Sequence, residues 1–163
     1  MTTSPQAQVS KFCKQYIKSI GLTCRTKSSS FAGGNSVDVF LTDIPPTVIA
    51  SIKAEFEQYE SGYFNAYKDI YEYKSNQSNV PTVKYLTVNN QFSDNTVNKA
   101  WSFLRGLYPA NAELLPVDLN EAKYKKWCKN DYHDIGHLVY GLLCGEGLFG
   151  QRQNDSKQFW ANN

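Results

Sequence analysis

A chain of 163 residues, 41% of them hydrophobic, is one domain's worth of sequence and buries roughly 70% of the surface that its unfolded form exposes, so its core needs no disulfide or metal. No apolar run approaches the length of a membrane span and the opening MTTSPQAQVS lacks the basic-then-apolar layout of a secretory signal, so a cytoplasmic protein is expected. The net charge of +2 divides into five bases and no acid in residues 1–36 and seven acids against two lysines in residues 37–73, a mixed surface that excludes a general DNA mimic and suits a protein partner better than a phosphate backbone.

In chain order, Val9, Phe12, Cys13, Tyr16, Ile17 and Ile20 recur at helical spacing with Lys11, Lys14 and Lys18 turned the other way. This predicts an amphipathic helix stopped by Gly21. Residues 22–27 and 36–42 alternate apolar and polar around SSSFAGGNS, which predicts a β-hairpin with a long tip around Phe31. Pro45 and Pro46 belong at the first turn of a helix carrying Val48, Ile49, Ile52 and Phe56 on one face. The next segment, YESGYFNAYKDIYEY, holds five of the eleven tyrosines: Tyr59, Tyr63, Tyr67, Tyr71 and Tyr73. It is expected to cross from the helix to the next strand and to offer its rings as contact surface. Residues 82–88 predict a third strand with Val83, Tyr85 and Thr87 on one face, and Ser93 or Asp94 caps a helix striped by Val97, Ala100, Trp101, Leu104 and Leu107. The predicted class is α+β: a three-stranded, mainly antiparallel sheet flanked by helices in a domain of residues 1–108, with a C-terminal helical extension, residues 109–163, packed on it.

The order of elements and the runs NSVDVFLTDIPPTVIASI, FEQYESGYFNAYKDIYEY and VKYLTVNNQFS resemble the large polyvalent protein-associated domains found in multi-domain proteins of bacteriophages and conjugative elements. The resemblance covers residues 11–105 and is most specific at Phe64, Asn65, Asp69, Tyr71 and Tyr73. Asn65 stands where that family often has an acid, and Ala66 where it has a glycine. The resemblance brings no enzymatic activity and no cofactor with it. What it implies is a context: a free-standing, phage- or mobile-element-encoded counter-defence protein of the anti-CRISPR kind. Such a protein inhibits a CRISPR effector or restriction enzyme of its bacterial host by stoichiometric binding. The expected contact residues are Glu55, Glu57, Glu60, Tyr63, Tyr67, Asp69, Tyr71, Glu72 and Tyr73, an acidic, tyrosine-rich surface suited to covering a basic nucleic-acid channel.

Beyond residue 108, Asp118 and Glu121 form a capping box for a basic helix reaching residue 129. Lys123, Lys125, Lys126 and Lys129, with Tyr124 and Trp127, are the residue types that meet a nucleic-acid backbone by charge and stacking, so a nucleic-acid-binding module is the second reading. In a following helix near residues 132–144, Ile135, Leu138, Val139 and Leu142 form the core stripe, and His133, His137, Tyr140 and Cys144 gather opposite it. His133 and His137 at i and i+4, with Cys128 and Cys144, are spaced to hold zinc, which gives the third reading, a zinc-dependent hydrolase. Asp134 stands where the catalytic form of such a helix carries glutamate, and Cys13, Cys24, Cys128 and Cys144 form no CxxC pair, so no metal or other cofactor is expected. Phosphate-binding loop, dinucleotide fingerprint and nucleophile elbow are all missing, and the expectation is a protein that is not an enzyme. Phe159 and Trp160 close a polar tail and are expected to dock on the body.

Overall fold

The computed structural model describes residues 3–74, 80–113, 115, 132–145 and 152–163. The chain forms two compact units, Met1–Gln91 and Phe92–Asn163. No described helix is long and apolar enough to cross a membrane.

In the first unit, α1 (Pro5–Ser19) starts with proline in its first turn, where a missing N–H costs nothing, and buries Val9, Cys13 and Ile17 at i, i+4 and i+8. Gly21 at φ 78° ends it: the Gly21 N–H reaches Lys18 O at 3.0 Å and the Leu22 N–H reaches Ile17 O at 3.0 Å, the paired bonds of a Schellman motif. Burial, with a smaller push from Cys24, raises the Cys13 thiol to about 12, so it stays protonated and unreactive. Iodoacetamide at pH 8 is expected to leave Cys13 unmodified in the folded chain and to alkylate it after denaturation. Peptide mass spectrometry reads this, and alkylated Cys13 in native protein would contradict the packing.

β1 (Arg25–Phe31) and β2 (Gly34–Thr42) pair antiparallel, from Arg25 opposite Phe40 to Phe31 opposite Gly34. The expected long tip is therefore a two-residue turn, Ala32-Gly33, in which Gly33 at φ 91° supplies the positive φ that the third turn position needs. The serines that read as loop chemistry stay in the ladder, where Ser29 Oγ and Ser36 Oγ share a 2.7 Å hydrogen bond.

β5 (Tyr85–Gln91) lies on the other side of β2 and runs parallel to it, so the three-stranded sheet is mixed, in the order β1-β2-β5. One of its two pairings is antiparallel as expected. The other is parallel because the chain returns through a crossover containing α2 (Pro46–Phe56), which parallel neighbours require. Asn90 pins the start of that crossover: its Oδ1 accepts from the Ile44 N–H at 3.2 Å and its Nδ2 donates to Ile44 O at 2.7 Å, next to Asp43 at φ 55°. Val37, Val39 and Leu41 of β2, Ile52 and Phe56 of α2, the buried residues of α1, Ile44 and Val83 make the core of this unit.

Val83 and Tyr85 do not share a face as predicted. The chain bends at Lys84, whose N–H donates to Asn35 Oδ1 at 2.9 Å, and the two-residue alternation restarts there. Leu86 and Val88 consequently pack on the core, opposite Val37 and Val39, while Tyr85 is exposed.

The second unit contains α3 (Asp94–Leu107), α4 (Tyr132–Cys144) and α5 (Arg152–Ala161). Ser93 caps α3, its Oγ accepting from the Thr96 N–H at 3.3 Å, with Asp94 in the first turn. Ala100, Trp101 and Leu104 are buried with Leu115, Val139, Leu142, Leu143 and Phe159. α3, read from sequence as the end of a domain of residues 1–108, thus shares its core with α4 and α5, and the division falls between Gln91 and Phe92. The tail helix holds Phe159 edge-on to Phe103 at 5.6 Å, and Trp160 Nε1 donates to Leu143 O at 3.2 Å. The basic helix with Lys123, Lys125, Lys126 and Lys129 lies outside the described residues.

Candidate interaction surface

The tyrosine-rich segment is an antiparallel hairpin of β3 (Gly62–Asn65) and β4 (Ile70–Tyr73). Its four-residue turn is built by Asn65, whose Oδ1 accepts from the N–H groups of Tyr67 at 3.1 Å and Lys68 at 3.3 Å, and closes with Asp69 at φ 52°. The base is closed by the Lys74 N–H donating to Ser61 O at 2.8 Å and is tied to Val83, just ahead of β5, by Ser61 N–H to Val83 O and Val83 N–H to Tyr59 O, each also at 2.8 Å.

Pairing Tyr63 with Glu72 and Phe64 with Tyr71 gives the hairpin two faces. On the first, the Glu72 carboxylate accepts from Tyr63 Oη at 2.5 Å, Asn65 Nδ2 at 2.9 Å and Lys68 Nζ at 2.9 Å. The Tyr63 bond foremost, then those of Lys68 and Asn65, hold Glu72 below the ordinary carboxylate range, and the same Tyr63 bond lifts the phenol above its usual value. A depressed carboxylate stabilises above its unfolded value and loses that contribution as pH falls through the folded one. A raised phenol stabilises below its unfolded value and loses that contribution as pH rises through the folded one. Amide shifts of residues 62–73 are therefore expected to hold steady at neutral pH and to move together in strong acid, and Glu72→Gln is expected to flatten the acid arm. An acid arm unchanged in the variant would exclude Glu72 as the hub.

The second face carries Phe64, Tyr71 and Tyr73 beside Gly62. Tyr71 Oη donates to Lys84 O at 2.7 Å, and its ring meets Tyr73 at 5.0 Å and Tyr85 at 6.0 Å. Tyr85 in turn stacks on Phe31 at 6.1 Å. Lys84 Nζ stands 5.2 Å from the Tyr71 ring and 5.6 Å from the Tyr85 ring while donating to Gly33 O at 3.1 Å. One aromatic ridge, Phe31–Tyr85–Tyr71–Tyr73, thus joins the β1–β2 turn to the β3–β4 hairpin, with a lysine as its tie.

The residues predicted for contact fall in three places. Tyr63, Tyr71, Glu72 and Tyr73 lie on the hairpin strands, Tyr67 and Asp69 in its turn, and Glu55, Glu57 and Glu60 at the end of α2 and just after it. Of the acids, Glu57 and Glu60 share one groove. Asp69 lies at the far end of four-residue strands, about 13 Å from their base, and Glu72 is paired with Lys68. Glu55 Oε1 accepts from Gln58 Nε2 at 2.7 Å. Glu57 and Glu60 line a groove of about 290 Å³ with Lys53, Phe56, Leu86, Thr87 and Val88. Burial foremost raises the Glu60 carboxyl, Lys74 pulls it back, and Glu57 adds to the rise.

Phe31, Phe64, Lys84 and Tyr85 belong to the surface and were missing from the predicted contact set. The available signal was the polar-then-aromatic step Lys84-Tyr85 directly after the apolar Val83, which marks a change of face. Among the described residues, no group of three His, Cys, Asp or Glu side chains is placed to hold a metal. Of the zinc set read from sequence, Cys144 is half-buried at the end of α4, and the side chains of Cys128, His133 and His137 lie outside the described residues. Comparison with known proteins adds no relative: no family model matches the chain, and neither curated proteins nor solved structures give a match.

Proposed function

We propose that this chain acts by stoichiometric binding to a protein partner, with the β3–β4 hairpin and the Phe31–Tyr85–Tyr71–Tyr73 ridge as its contact surface. The observation that carries this reading is the exposure of the hairpin's large side chains on both faces: Tyr67 entirely, Tyr73 by 69%, Phe64 by 57%, Tyr63 by 53% and Ile70 by 50%. Two strands alone are marginal in water. This hairpin is held by its base, by the Tyr71–Lys84 bond and by the Glu72 hub, so its rings are not needed to cover a core. Aromatic side chains on a fixed frame give large contact area with few rotamers to freeze. The hairpin's ionic pair, Lys68 with Glu72, is satisfied internally, which favours a protein surface over a phosphate backbone. The resemblance to phage and conjugative-element domains makes a bacterial defence protein, a CRISPR effector or a restriction enzyme, the partner class, with the chain as its cytoplasmic inhibitor.

Capture with the tagged chain from a bacterial lysate containing restriction and CRISPR systems, with and without nuclease treatment, tests this. A defence nuclease recovered in stoichiometric amount after nuclease treatment is the expected result. Recovery of nucleic acid alone, or of proteins lost with it, would replace this reading with a nucleic-acid-binding module.

A further inference from the structure

We propose that the groove beside β5 receives an extended peptide segment of a partner protein, which adds as a further strand to the open edge of the sheet and sets a lysine or arginine against Glu60 and Glu57. In the order β1-β2-β5, β5 has a strand neighbour on one edge only among the described residues. The Asp43 N–H donates to Gln91 O at 2.9 Å, so the odd-numbered residues of β5 turn their peptide groups to β2. Leu86 and Val88 then turn theirs to the open side, where successive N–H and C=O groups form the template that strand addition uses.

The chain shows the pairing mode itself. Just ahead of β5, Glu60 bridges Val83 in the parallel sense, with both flanking backbone bonds at 2.8 Å, and at Gly62 this internal neighbour turns away into the hairpin. Beside the open edge lies the groove, with Phe56, Leu86 and Val88 as its apolar lining and Glu57, Glu60 and Lys53 as its charged residues. Neither carboxylate forms a salt bridge among the described residues and Glu60 is half-buried; Lys53 in the lining and Lys74 near Glu60 offset the two charges only in part, so a cation placed there still meets carboxylates without a direct partner. Side chains of an added strand alternate, so those entering the groove stand two residues apart: one apolar, over Phe56, and one basic, against Glu60. This surface is separate from the rings of the hairpin, and the two fail or stand independently.

The test is selection from a phage-displayed library of random dodecapeptides on the intact chain, with counter-selection on Glu57→Lys/Glu60→Lys, followed by fluorescence anisotropy with the selected peptide. The expected outcome is enrichment of an apolar residue two positions from a lysine or arginine. Affinity is expected to fall tenfold or more on N-methylation of alternate peptide nitrogens and in Glu60→Lys, and to fall in the isosteric Glu60→Gln, which answers any misfolding of the lysine variant. Phe64→Thr/Tyr67→Ser/Ile70→Thr is expected to leave it unchanged, and hydrogen exchange at Leu86 and Val88 to slow in the complex. Selected peptides that bind the charge-reversed chain equally, or that tolerate N-methylation, would overturn the proposal. So would failure to enrich any sequence, and so would a dimer in sedimentation that Glu60→Lys abolishes, which would give the edge to a second copy of this chain.

Discussion

Phe56→Ala is expected to lower the unfolding free energy of the first unit by about 3–5 kcal/mol, as truncating a buried phenylalanine does where the site cannot collapse. Phe56 is 2% exposed at the last turn of α2, edge-on to Tyr16 at 5.6 Å and 6.2 Å from Tyr59, which itself stacks on Phe12 at 6.0 Å. Its ring therefore joins α1, α2 and the following turn, and the β2–β5 ladder behind it cannot shift to fill the space without losing backbone hydrogen bonds. No tryptophan of its own reports on this unit, since Trp101, Trp127 and Trp160 all lie after residue 92. Hydrogen exchange at Val37, Val39 and Leu41 does, and a loss below about 1 kcal/mol would show that the ring is not a keystone of the core.

Gly62→Val is expected to unpair the β3–β4 hairpin while the core stays folded. A Cβ at Gly62 falls on the carbonyl oxygen of Glu72 and within 2.6 Å of the Tyr71 ring, and the first of these is backbone that moves only by breaking the ladder. Overpacking of this kind costs about 1–3 kcal/mol, comparable to what holds an isolated pair of strands. The amides of residues 62–73 are expected to lose exchange protection, those of Val37 and Val39 to keep it, and affinity for a partner to fall at least about 30-fold, the loss of one strong anchor or more. Retained protection in residues 62–73 would mean that the close approach at Gly62 is not required.

These two residues also mark how much could be read from the chain. Phe56 was legible: a proline pair followed by apolar residues at three- and four-residue spacing leaves few alternatives to a helix buried on that face, and Gly21 and Ser93 announced their helix ends for equally local reasons. The hairpin was not legible as a hairpin. Its strands carry large apolar side chains on both faces, Tyr63 against Phe64 and Ile70 against Tyr71, so the apolar–polar alternation that reveals a strand is missing. The parallel placement of β5 depends on non-local pairing that no window of sequence contains, and with it went the meeting of Phe31 with Tyr85 and of Lys84 with Gly33. Asn90 shows the same limit, since its bracket on Ile44 looks in sequence like one more polar residue near a strand end. The tyrosines were read as contact surface because their rings give large area at low entropic cost; Tyr63, Tyr67 and Tyr73 are exposed, whereas Tyr71 is half-buried and Tyr59 packs on the core. The acids were grouped because they are near in sequence; Glu57 and Glu60 do share a groove, while the hairpin carries Asp69 to its turn.

Titrating the captured partner with the wild-type chain and with Phe64→Thr/Tyr67→Ser/Ile70→Thr tests most directly whether the hairpin is the contact surface. The three side chains are at least half exposed, and their replacements keep strand and turn propensity, so an unchanged thermal melt is expected alongside an affinity at least about 30-fold weaker. Equal affinity of the two chains, with the variant folded, would contradict it.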